Sequence, residues 1–139
     1  MPIYLHADDH KWITPPHDGI VTWAGESREI SDNIRLWHTG GHFAGATILH
    51  WRKVADRKGA LFAGDIAIVA MDRRSASFMY SFPNYIPMNE AAVLRIADVV
   101  APLTFDRIYG GWRGRNIAGD AKATFDISVR RYLAAIKPA

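Results

Sequence analysis

Three short stretches of this chain carry residues that could do chemistry. HTGGHFAG, residues 38–45, sets His42 beside two glycines in a break between two strand-like runs. Glycine lets the backbone turn tightly and leaves an imidazole exposed. A histidine in such a loop is better placed to bind a metal than one inside a strand. LFAGD, residues 61–65, is an apolar strand running abruptly into Gly64-Asp65. That places a carboxylate at a strand's C-terminal end, the edge where ligands commonly gather in layered folds. Such a carboxylate can bind or bridge metal ions and so help to generate a hydroxide nucleophile. LHADDH, residues 5–10, packs two histidines and two aspartates into six positions.

The chemistry open to them is bounded by composition. The chain has 139 residues, the size of one domain with a real core, and is read as a single domain over 1–139. It contains no cysteine, which excludes disulfides and thiolate metal sites. Any metal must therefore use His, Asp or Glu. Hydrophobic residues make up 49% and charged residues 22%, as in a soluble globular protein. No apolar run reaches the ~20 residues of a membrane span, and the N-terminus lacks the pattern of a secretory signal. A cytoplasmic location is the default, with no membrane partner. The net charge of +3 is spread along the sequence, with small groups at Arg73-Arg74 and Arg130-Arg131. A solvated surface is the better reading than a nucleic-acid interface, which concentrates charge on one face.

The elements that must hold these residues can be read coarsely. Residues 2–5 form a short strand. ADDHKWI begins a helix with Asp8 or Asp9 near its N-terminus, ended by Pro15-Pro16. Strands follow at 20–23, 34–37, 47–51 and 60–63, with a turn at 55–59. DRRSASFMYSFPNYIPM, residues 72–88, is too broken for a regular element. Its aromatic residues either wall a pocket or plug the core. Val93, Ile96, Ala97 and Val100 mark a helix stopped by Pro102. A strand spans 105–109. Phe125, Val129, Tyr132, Leu133 and Ile136 share the face of a last helix, with Asp120 as its N-cap and Lys137-Pro138 as its end. Strands followed by helix, strand, helix indicate an α/β or α+β layered domain.

Together the motifs resemble a known family. T-x-G-H-x-x-G (Thr39, Gly41, His42, Gly45), then a strand, a turn and L-F-x-G-D (Leu61, Phe62, Gly64, Asp65), resembles the second half of the metallo-β-lactamase fold. That family usually has Pro where this chain has Gly40. The runs GGHFAGATILHW, DRRSASFMYSFPNYIPM and FDRIYGGW resemble one bacterial branch of its hydrolases. The likeness covers the chain from Pro2 to the final helix.

The resemblance implies a four-layer α/β/β/α sandwich of two similar halves, with metals between the halves at one edge. This chain is then the C-terminal half, a mixed sheet with flanking helices. His42 is implied as a zinc ligand. Asp65 is implied as the carboxylate that bridges two ions and serves the catalytic step. The remaining ligands belong to an H-x-H-x-D-H motif upstream, which occurs nowhere in these residues. The histidine that usually follows the last strand is replaced by Gly110-Gly111-Trp112. LHADDH supplies His6, Asp9 and His10 as H-x-x-D-H, one residue too long for that motif. It fits better the segment PIYLH-x-x-D-x-x-W that follows the motif, which makes His6 and His10 ordinary strand-end and helix-surface residues. His50 reads as structural and His17 as exposed. His38 or Asp72 would support the site from outside the ligand set.

The implied function is a metal-dependent hydrolase, using one or two zinc ions or another divalent metal, of a small ester, lactone, amide or thioester. RNA cleavage remains a further reading within that class. The alternative is a non-catalytic module derived from the same fold, acting by binding or oligomerisation. Either way, a half sandwich leaves an apolar sheet face uncovered. A homodimer, or the missing N-terminal half, is its expected partner.

Overall fold

The first strand, β1 (Ile3–His6), pairs in parallel with β2 (Ile20–Trp23) in the computed structural model, which describes residues 1–137. A parallel pair needs a crossover of about a dozen residues. Here the crossover carries the 3-10 helix Ala7–Trp12, with Asp8 and Asp9 in its first turn. It starts at His6, whose ring Nδ1 accepts from the Asp8 N–H.

A mixed six-stranded sheet follows. Its strands are β3 (Ser27–Ser31), β4 (Ile34–His38), β5 (Thr47–Trp51) and β6 (Ala60–Gly64), then β11 (Arg107–Gly110) and β12 (Asn116–Ile117), in the order β12-β11-β6-β5-β4-β3. Only β11 and β6 run parallel, and the chain between them holds a helix, as a parallel connection requires. That connection also contains four short strands: β7 (Ile68–Val69), β8 (Ala76–Ser77), β9 (Met79–Ser81) and β10 (Ile86–Pro87). They pair locally, β7 with β8 and β9 with β10. The segment expected to be irregular is thus partly extended.

Helices α1 (Glu90–Val100) and α2 (Ala121–Ile136) cover one face of the sheet. Ile48, Leu61, Ala63 and Ile108 point into a core shared with Val93, Ile96 and Val100 of α1 and Phe125 and Val129 of α2. Asn89 caps α1, its side chain accepting from the Ala92 N–H at 2.9 Å. Asp120 does stand at the start of α2, but its φ of 51° is left-handed and its side chain makes no cap bond. Asp106 substitutes: its Oδ1 accepts from the Asp120 N–H at 3.1 Å and its carbonyl from the Ala121 N–H at 3.2 Å. Pro138, expected to close α2, lies outside the described residues.

The opposite face is open at its β5–β6–β11 end, while Leu36 on the same face is buried. Register places Leu49, Phe62 and Tyr109 side by side on it, with Trp51 beside them. Phe62 stacks on Trp51 and leans on Tyr109, yet Trp51 is 38% and Phe62 37% exposed. Strand β3 was not anticipated because SREIS has a single apolar residue. Edge strands are commonly polar, which protects them from further pairing. No helix among the described residues is long and apolar enough to cross a membrane.

Candidate functional site

The loop that carries His42 is closed on one carbonyl. The N–H groups of Thr39 and Gly40 both donate to Ala46 O, at 2.9 and 3.1 Å, and the Thr39 hydroxyl joins them at 3.1 Å. Thr39 is fully buried, and its own carbonyl accepts from Arg95 Nε of α1 at 3.0 Å. Gly40 and Gly41 adopt φ of 64° and 92°. Proline is locked near −65°, so it cannot stand at Gly40 in this conformation.

His42 emerges from this turn half-buried. Its Nδ1–H donates to the carbonyl of Met79 at 3.0 Å. A carbonyl only accepts, so the proton sits on Nδ1 and the lone pair on Nε2. A metal-binding histidine is held in this way, with its far nitrogen anchored to a carbonyl. Phe43 stands edge-on to the His42 ring at 5.0 Å and Phe82 tilts against it at 5.5 Å.

Asp65, just beyond β6, lines the same cavity as His42. The cavity measures about 890 Å³, within the usual range for a small-molecule pocket. Among the described residues no ion pair engages Asp65. A Cβ added to Gly111 would lie 3.1 Å from Asp65 Oδ1. Gly111, the residue just after β11, therefore stands directly beside the carboxylate, and Trp112 after it joins the wall. Among the described residues, His42 and Asp65 are the only His, Asp or Glu in that wall.

The segment 72–88 does both things expected of it. Phe78 is fully buried, edge-on to Phe125 at 5.9 Å and Tyr132 at 5.3 Å. Tyr80, Phe82 and Ile86 face the cavity. Asp72 does not reach it; it is exposed and accepts from the Arg74 N–H in a local turn.

LHADDH takes part differently from the H-x-x-D-H pattern. Asp9 Oδ1 accepts from the Gly45 N–H at 2.9 Å, and His10 is exposed. The residues that gather are His6, Asp8 and His38, whose donor atoms lie within 4.8 Å of one another. The His6 and His38 rings stack at 3.8 Å. His6 is buried, so it is more than a strand-end residue. Sequence spacing did not join His6 to His38 because only the parallel crossover brings them together. The ring nitrogens of both histidines are engaged already, whereas the exposed Asp8 carboxylate faces only those two rings, at 3.5 and 3.7 Å. His6 Nε2–H donates to Gly25 O at 3.2 Å, its Nδ1 accepts from the Asp8 N–H at 3.3 Å, and His38 Nε2–H donates to Ala44 O at 2.8 Å. None of the three lines the cavity. The cluster ties the opening segment to the 38–45 loop from below.

The other histidines are structural or exposed, as their sequence context suggests. His50 is buried and its Nε2–H donates to Thr104 O at 2.8 Å; burial lowers its pKa below the usual value. His17 is exposed.

A relative aligns with nearly all of this sequence. Over 135 residues the chain is 42% identical to an uncharacterized protein, YmaE, of Bacillus subtilis (strain 168). The alignment takes in 97% of this chain and 49% of the relative, so the chain spans about half the length of the curated relative it matches. No protein-family model matches the chain.

Proposed function

We propose that this chain is part of a metal-dependent hydrolase of the metallo-β-lactamase type, corresponding to the C-terminal half of its sandwich. The observation that carries the reading is the shared cavity of His42 and Asp65, with His42 Nε2 left free by the Met79 carbonyl. The donor set suits zinc, which takes imidazole nitrogen and carboxylate oxygen. A sheet with helices on one face and open aromatic residues on the other is consistent with half of a four-layer sandwich.

His42 Nε2 and the Asp65 carboxylate would hold a zinc ion here, which would supply a water of pKa near ~7 as nucleophile for a carbonyl centre. Asp65 would also orient that water. The aromatic wall limits bulk solvent near the reacting carbon. A catalytic zinc takes three protein ligands, and this cavity offers two. The proposal therefore needs donors from a further segment or a second chain.

That shortage favours a second reading, a binding module that keeps the fold without the reaction. Metal content separates the two. Zinc at one equivalent per chain, lost in both His42→Ala and Asp65→Ala, supports the hydrolase. Purified protein free of bound metal, and unable to take up added zinc, overturns it.

A further inference from the structure

The wall around His42 and Asp65 is more apolar than metal binding requires. Among the described residues thirteen large apolar side chains are exposed, and five of them line this one cavity: Trp12, Phe43, Tyr80, Ile86 and Trp112. They arrive from four separate parts of the chain: the 3-10 helix, the 38–45 loop, the 72–88 segment and the turn after β11. Convergence of exposed aromatic residues on a concave site marks a binding surface. The rings are ordered against one another, with Trp12 edge-on to Phe43 at 6.1 Å.

The charge of the wall is spare. Among the described residues Lys11 is its one Lys or Arg, with Nζ 5.2 Å from the Trp12 ring centroid, and Asp65 is its one carboxylate. Polyphosphate and nucleic-acid ligands need several cations along their path. Arg73 and Arg74 do not reach the cavity.

We propose that the cavity takes an ester or thioester whose acyl or aryl part is apolar and whose net charge is zero or −1. The apolar part lies against Trp12, Phe82 and Trp112, and a single anionic group faces Lys11. The inference rests on the hydrolase reading of the same site. Hydrolysis adds the oxygen of one water to the acyl carbon and breaks the C–O or C–S bond. A proton passes to the departing alcohol or thiol. The acyl product is a carboxylate, so simple carboxylates are product-like probes.

Acetate, phenylacetate and decanoate are titrated into chelator-treated protein, with tripolyphosphate as the polyanionic probe, and binding is followed by calorimetry. Phenylacetate and decanoate are expected to bind at least tenfold more tightly than acetate. Trp12→Ala and Trp112→Ala, both at exposed positions, are each expected to weaken decanoate about fivefold, as loss of some 40 Å² of apolar contact would. Phe62→Lys, on the open sheet face, is expected to leave binding unchanged. Equal affinity for all three carboxylates overturns the proposal, as does tighter binding of tripolyphosphate. Decanoate binding lost in Phe62→Lys but kept in Trp12→Ala and Trp112→Ala would place the probe on the sheet face, which also overturns it. Because metal is absent from this titration, its outcome is separate from that of the zinc measurement.

Discussion

His42 Nδ1 lies 3.0 Å from the carbonyl oxygen of Met79, and this bond joins the 38–45 loop to the aromatic segment across 37 positions of sequence. It fixes the tautomer of the ring and aims Nε2 away from the anchor. In the neutral ring, long-range proton–nitrogen spectra are expected to show the proton on Nδ1 and Nε2 bare. Added zinc is expected to move the Nε2 resonance. A ring protonated at Nε2 in the metal-free protein contradicts this geometry.

Asp9 fastens the same loop from the other side, through the Gly45 N–H at 2.9 Å. A carboxylate–amide bond is charge-assisted, and its loss leaves a partly buried donor without a partner. Asp9→Ala is expected to cost about 1–2 kcal/mol of unfolding free energy. Asp9→Asn, which keeps an acceptor oxygen, is expected to lose less. Denaturant titration of both variants checks the order; equal stability of Asp9→Ala and the parent contradicts it.

His50 makes stability depend on pH. Burial holds its folded pKa below the ordinary histidine value of about 6.5, against the opposing hydrogen bond to Thr104 O. The unfolded chain therefore binds the proton more readily than the folded one. This contribution is full above about 6.5 and is lost as pH falls toward the depressed folded value. The Tm is expected to fall between pH 7.5 and 5.5, by less in His50→Gln, which keeps a donor for Thr104 but does not titrate. Thermal scans at both pH values measure the difference, and identical pH slopes for the two proteins contradict the assignment.

Much of this was legible in the sequence, and the failures have physical causes. Apolar alternation and Gly-Asp punctuation located β5 and β6 because those strands bury one face in the core. The polar edge strand β3 gave no such signal. The pairing of His42 with Asp65 at one site was implied by the family resemblance, and the two do line one cavity. The stacking of His6 on His38 was not implied, because it depends on the crossover between β1 and β2. Asp106, which anchors the start of α2 in place of the Asp120 side chain, was hidden for a similar reason: it acts across 14 residues.

The open sheet face sets an expectation for assembly. Phe62 and Trp51 are stacked and more than a third exposed, next to Leu49 and Tyr109. On the half-sandwich reading, a second copy or a further segment covers them. Sedimentation of the isolated chain is expected to show a dimer, and Phe62→Lys is expected to shift it toward monomer. A parent that stays monomeric at high concentration speaks against this role for the face.

The central claim is that His42 and Asp65 hold one metal ion between them. Cobalt(II) reports it most directly, because its visible absorption depends on the ligands around it. Titration of the metal-free protein is expected to give one saturable set of bands, abolished by His42→Ala and by Asp65→Ala and displaced by zinc. Bands that persist in either variant, or none in the parent at saturating cobalt, would contradict the claim.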